Sequence, residues 1–228
     1  MRRPALLGWS SGKDSAYALH VLRAGGEYEV VGLVTTINEA FDRVAMHAVP
    51  RELLGLQAEA VGLPLWPVLI PWPCSNAQYE AAMAAVVARA VAEGVTHMAF
   101  GDLFLADIRA YREHQLEGSG LTPVFPVWRA DTDALAREML ESGLRATLAC
   151  VDPRALEPRF AGREFDAALL AELPAGVDPC GENGEFHTFA WDGPGFAHPV
   201  PVETSGVVER DGFVFADLRP AGSPPQQG

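Results

Sequence analysis

The segment Ser10-Ser11-Gly12-Lys13-Asp14-Ser15 gathers small, hydroxylated and charged residues directly behind the apolar run Ala5 to Trp9. After it, Ser15 to Arg23 carries Ala18, Leu19 and Leu22 at helical spacing. A strand that turns into a helix leaves unpaired N–H groups and a positive dipole end at the turn, and together these attract anions. Gly12 lets the backbone approach an oxyanion, while Ser10, Ser11 and Ser15 add hydroxyl donors. Lys13 is the only lysine among 17 Lys and Arg residues. Its compact ammonium reaches between phosphate oxygens where a planar guanidinium does not fit, so we expect an exposed Lys13 that grips phosphate and adds little to folding. Asp14 beside phosphates calls for a bridging cation, for which Mg²⁺ is suited. The spacing is not that of a Walker A loop. The plain alternative is a serine-capped first helix.

Further candidates lie downstream. Asp102 follows Gly101 at the end of an apolar stretch, where it serves either as a turn residue or as a metal or substrate ligand. Arg109 and Glu113 stand four apart and pair along a helix face, or Arg109 clamps a substrate carboxylate or phosphate. Glu182 and Glu185 bracket Gly184 in a polar, glycine-rich stretch; they are solvated loop carboxylates, or they hold Mg²⁺ or an incoming amine. Cys180 has no flanking His–Asn arrangement and reads as a buried structural thiol.

Strands are expected at Val30–Thr36, Leu65–Ile70, Thr96–Phe100, Thr122–Trp128 and Ala146–Val151, beside the first at Ala5–Trp9. Helices are expected over Pro50–Val61, Gln78–Glu93, Asp131–Ser142 and Ala168–Leu173. The alternation argues for a parallel α/β sheet with right-handed crossovers, and a terminal hairpin should turn at Asp211-Gly212. In such sheets ligands bind beyond the carboxyl ends of the strands, so the loops at residues 10–15 and 101–102 should face one crevice. The expected division is a first domain over 1–129, a smaller second domain over 130–220 and a disordered tail over 221–228.

A net charge of −13, with no basic run beyond Arg2-Arg3, argues against a nucleic-acid partner. No run of eighteen apolar residues marks a membrane span, and Met1 to Pro4 reads as a lead into a strand rather than a signal peptide. Three widely spaced cysteines show no disulfide or metal pattern, which fits a reducing cytoplasm.

The loop Trp9 to Ser15 resembles the Ser-Gly-Gly-Lys-Asp-Ser loop of N-type ATP pyrophosphatases, with Ser11 in place of the first glycine. Gly101-Asp102 with Arg109, Glu113 and Gly120-Leu121, and then Cys180 to Thr188, resemble segments of the diphthine–ammonia ligase family. In the second segment Asn183 and His187 replace a usual glycine and glutamate. The resemblance implies a Rossmann-like α/β fold of the adenine nucleotide alpha hydrolase type, helices on both sheet faces, and a smaller C-terminal α+β substrate domain. It implies ATP and Mg²⁺, with Ser10 to Ser15, Thr35, His47 and Gly101 near the nucleotide and Asp14 and Asp102 at the metal. Lys13, Asp14, Asp102, Arg109, Glu182 and Glu185 would carry the chemistry. The implied reaction activates a carboxylate as an acyl-adenylate, releases pyrophosphate and AMP, and captures ammonia. The partners would be a small-molecule or peptidyl acid and ammonia, with a homodimer left open. Two rival expectations stand beside it: an ATP-binding sensor without turnover, and a sulfur-inserting relative.

Overall fold

The computed structural model describes residues 1–44, 49–128 and 131–222. His47 and most of the expected tail, 223–228, lie outside the described residues. The first half runs β1 (Arg3–Gly8), α1 (Lys13–Gly25), β2 (Tyr28–Asn38), β3 (Arg43–Val44), α2 (Arg51–Val61), β4 (Leu65–Ile70), α3 (Asn76–Ala92), β5 (His97–Ala99), α4 (Ala106–Leu116) and β6 (Thr122–Val124). The second half runs α5 (Thr132–Glu141), β7 (Arg145–Val151), α6 (Ala167–Glu172), β8 (Phe186–Asp192), β9 (Val202–Arg210) and β10 (Phe213–Pro220).

Local chemistry explains these boundaries. α2 stops at Gly62, whose left-handed φ of 68° lets its N–H bond back to the carbonyls of Ala58 and Glu59. Ser75 and Gln78 form a reciprocal capping box at the start of α3. Asp211 and Gly212 both take positive φ, 52° and 79°, and join β9 to β10 where the hairpin is expected. The strand expected over Thr122–Trp128 ends at Val124, just short of Pro126, which has no N–H to continue a ladder.

β4, β2, β1, β5 and β6 lie side by side and parallel, and the short β3 adds antiparallel to the end of β2. The chain therefore moves outward from β1 through β2 to β4, then returns to the other side of β1 with β5. Between β1 and β5 the order of strands reverses, and a crevice opens beyond their carboxyl ends. The second sheet is antiparallel in the order β8–β7–β10–β9. It shares one apolar core with α1 and α2, running from Leu19 and Leu53 to Ala149 and Phe189. α3 covers the opposite face of the parallel sheet, where its Met83 joins Leu6, Val34 and Met98 in one apolar cluster. No helix among the described residues is long and apolar enough to cross a membrane.

Candidate active site

The crevice at the strand reversal is a cleft of about 700 Å³, within the usual range for a ligand site. Ser10, Lys13, Asp14 and Ser15 line it from the β1 side, Gly101 and Asp102 from the β5 side, and Glu182, His187 and Thr188 from the second half. Gly101 has a steric reason to be glycine. A Cβ there would stand 3.0 Å from the Asp14 carbonyl carbon and the Ser15 nitrogen, so a bare backbone lets the β5 loop press against the first turn of α1.

The loop itself is built largely from backbone. Ser11 takes a left-handed φ of 69°, the region where glycine costs least, at the place where the resembled loop carries glycine. Its carbonyl accepts hydrogen bonds from Ala190 N and Gln57 Nε2, both at 2.9 Å. Gln57 also accepts from the Trp9 indole at 3.0 Å, tying β1, α2 and β8 together. The N-cap of α1 is Gly12, with no side-chain cap, so the serine-capped alternative does not hold. Thr188 Oγ1 instead accepts from Lys13 N at 3.0 Å, and Ser15 donates back to the Gly12 carbonyl at 2.9 Å. The helix start is thus completed from the other sheet.

Lys13 departs from expectation. It is 1% exposed, not a solvated cation. Its ammonium donates to both oxygens of Asp14 at 2.8 and 2.9 Å and to the carbonyl of Cys180, and it lies 5.6 Å from the ring centres of both Phe165 and Phe186. Burial by itself lowers the lysine pKa, but the charge of Asp14 leads a set of negative groups that raise it overall. Lys13 therefore stays charged and pins residues 180–186 to the loop. The expectation that it adds little to folding is corrected: a buried, paired ammonium leaves a stranded carboxylate if removed.

The carboxylates fall into two groups. Asp14, Asp102 and Glu182 reach the cleft. Glu182 accepts from Leu103 N at 3.0 Å, and burial, reinforced by Asp14 and Asp102, pushes its pKa up to about 7. Burial also raises Asp102, against the pull of Arg112. Glu185, 6% exposed, does not line the cleft. It accepts from Asp178 N at 3.0 Å, Asn183 N at 3.0 Å and Asn183 Nδ2 at 3.1 Å, holding its own loop in shape. Arg109 is likewise not brought to the cleft. It pairs with Glu113 at 2.8 Å and lies against Phe125 and Trp128. Arg112, one turn later on α4, faces the cleft instead and was not singled out from the sequence.

Thr35 turns away from the cleft and donates to the Trp9 carbonyl at 2.7 Å, while its neighbours Val34 and Thr36 line it, as strand alternation requires. Burial pushes the Cys180 and Cys150 thiols each up to about 12, so neither is a ready thiolate. Burial, then the Lys13 ammonium, lower the pKa of His187. Among the described residues no group of three His, Cys, Asp or Glu side chains is arranged to hold a metal. Two carboxylates do fit Mg²⁺, which keeps waters and shares phosphate oxygens rather than needing a full protein cage. Asp102 Oδ2 is buried with no hydrogen-bond partner, a vacancy in its bonding that a cation would fill.

A mostly parallel sheet flanked by helices, a glycine–lysine–aspartate loop after its central strand, and a cleft at the reversal define an N-type ATP pyrophosphatase fold. The chain belongs to the diphthamide synthase family: the model of the diphthamide synthase N-terminal domain matches residues 1–121, and that of its C-terminal domain residues 131–214. It is 28% identical to the diphthine–ammonia ligase of Homo sapiens, over 96% of this chain and 89% of that protein. The Danio rerio protein of the same name is 28% identical over 92% of this chain and 90% of its own length. The Schizosaccharomyces pombe protein of that name is 26% identical over 88% of this chain but only 36% of its own.

Proposed function

We propose that this chain is an ATP-dependent amidating ligase resembling the diphthine–ammonia ligases it matches. The observation that carries the reading is the meeting of Asp14, Asp102 and Glu182, from three separate segments, at the start of α1 in one cleft. The N–H groups of that helix start, with the hydroxyls of Ser10 and Ser15, would hold the β- and γ-phosphates. A substrate carboxylate oxygen forms a bond to the α-phosphorus as the bond to the bridging oxygen breaks, and pyrophosphate leaves with that electron pair. Ammonia then attacks the acyl carbon, AMP departs and the nitrogen loses a proton. Asp14 and Asp102 would hold Mg²⁺, whose charge offsets that of the triphosphate.

In this reading Lys13, which lines the cleft, also braces it. Its ammonium neutralises Asp14 and keeps the 180–186 segment, and with it Glu182, against the cleft. Glu182 is the group suited to hold the amine, because its carboxylate reaches the cleft and accepts N–H donors. The division into an ATP-binding unit over 1–129 and a substrate unit over 130–220 is supported by the two sheets. Burial, which pushes the Cys150 and Cys180 thiols up to about 12, speaks against sulfur insertion through these two residues.

The test is incubation with ATP, Mg²⁺, ammonium and a panel of carboxylic acids. AMP and pyrophosphate in equal amounts are expected with the right acid. ADP and phosphate would overturn the reading, and tight ATP binding without AMP from any acid would make the chain a sensor.

A further inference from the structure

The cleft extends to both sides of the phosphate loop, because strand order places β2 and β4 on one side of β1 and β5 on the other. Val34, Thr36 and Ile70 line the β2–β4 side, whereas Phe100, Ile108 and Arg112 line the β5 side. Among the described residues only the second carries a guanidinium. Arg112 lies with its guanidinium carbon 4.9 Å from the Phe100 ring centre, a cation–π contact that supports the group.

Arginine has five N–H donors. Among the described residues Arg112 makes one hydrogen bond, a long 3.4 Å contact from Nη1 to the Tyr79 hydroxyl. Its Nε is buried and makes none; it faces Asp102 Oδ2, equally buried and without a hydrogen bond, across 3.6 Å. That separation is too long for a hydrogen bond. A buried donor without a hydrogen bond is costly, and this partly buried guanidinium, ion-paired with Asp102 only at 3.6 Å, has N–H groups left for a further acceptor. Arg109 on the same helix is the contrast, since its Nε is already used by Glu113 at 2.8 Å.

We propose that Arg112 docks the carboxylate of the acid substrate, and that the β5 side of the cleft, between Tyr79, Phe100 and Ile108, takes the acid's apolar body. The substrate class is then a carboxylic acid with an aliphatic or aromatic chain. This rests on the ligase reading. The phosphate donors belong to the loop before α1 and Arg112 belongs to α4, so nucleotide and acid would meet different cations. Guanidinium N–H groups give strong, charge-assisted hydrogen bonds to a carboxylate oxygen. Held through one oxygen, the carboxylate keeps the other free to attack the α-phosphorus.

The experiment is calorimetric titration of 3-phenylpropanoate and hexanoate, with 3-phenylpropanamide as the uncharged control, into the full chain and its variants. We expect the wild-type protein to bind an acid about tenfold or more tighter than the amide. Arg112→Met should lose that preference, Arg112→Lys should keep part of it, and Arg109→Met should match wild type. Saturating pyrophosphate should leave the acid's affinity unchanged. Thermal midpoints of each variant show that it is folded; should Arg112→Met unfold, Arg112→Lys carries the comparison. Equal binding of acid and amide, no loss in either Arg112 variant, displacement by pyrophosphate, or no acid binding to wild type at millimolar concentration each overturns the proposal. Acid binding that depends on Arg112 in a protein that fails to bind ATP would overturn the ligase reading and leave this subsite standing.

Discussion

The 10–15 loop and the 178–188 loop face each other across Lys13 and are held by different means. The first is a strand-to-helix junction whose shape comes from backbone: the left-handed Ser11, its shared carbonyl, and the helix that begins at Lys13. The second has no regular structure before Phe186 and is wired by side chains. Asp178 accepts from Cys180 N and Glu182 N, and Glu185 accepts from Asp178 and Asn183. A backbone-built loop keeps its path when an exposed side chain changes. A side-chain-wired loop loses its path when one carboxylate is removed, and Glu182 would leave the cleft with it.

The largest effect should come from the residue the two loops share. Lys13→Met removes the buried ammonium, strands Asp14 and frees the Cys180 carbonyl, at a cost of about 3 kcal/mol seen in denaturant unfolding. Lys13→Arg should also lower the thermal midpoint, because a bulkier fork does not fit between Phe165 and Phe186. An unchanged midpoint in both would show that the pin is unimportant.

Glu185→Ala should follow, at about 2 kcal/mol, since it leaves buried N–H groups without acceptors. If the two loops differ as argued, this variant also loses AMP formation, although Glu185 does not touch the cleft. Full activity in a destabilised Glu185→Ala would separate loop shape from function.

Gly101→Ala probes the backbone-built side. Its Cβ meets backbone at 3.0 Å and must push the β5 loop off α1, costing about 1–2 kcal/mol and weakening ATP binding by calorimetry. Normal ATP affinity there would mean that the junction adapts.

A smaller effect concerns pH. In the ligand-free protein Glu182 has a folded pKa of about 7, above its unfolded value, so between these values the native state binds more protons than the unfolded one. Its contribution to stability is present at pH below the unfolded value and is lost as pH rises through 7. Glu182→Gln should flatten that part of the thermal-midpoint profile, and an unaltered slope would refute the assignment. Least of all, Arg109→Ala should change stability by about 0.5 kcal/mol or less, because its pair with Glu113 is solvent-exposed.

Much of the fold was legible in residue order. The apolar run into Ser10–Ser15, the periodicity of α1, α2, α3 and α5, and the turn at Asp211-Gly212 depend on neighbours a few residues away, and each lies within a few residues of its expected place. The pairing of the loops after β1 and β5 was also legible, because parallel sheets place their loops at one end. Side-chain direction was not. Arg109 and Arg112 share a helix with little separation around its axis, and which one meets the cleft depends on the rotation of α4 against the sheet. Glu182 and Glu185 sit three residues apart in a loop whose path is closed by its own side chains.

By itself, then, the sequence determined a parallel α/β sheet, a strand-to-helix turn after its first strand, and a crevice shared with Asp102, all set by local propensity and by the rules of strand connection. Tertiary structure alone decided that Lys13 is buried, that Thr188 caps α1, that Glu185 braces while Glu182 faces the cleft, and that Arg112 is the arginine there. The reason is distance along the chain. The partners of Lys13 include residues 167 and 175 positions away, and no local pattern encodes a contact that exists only once two sheets have packed on one core.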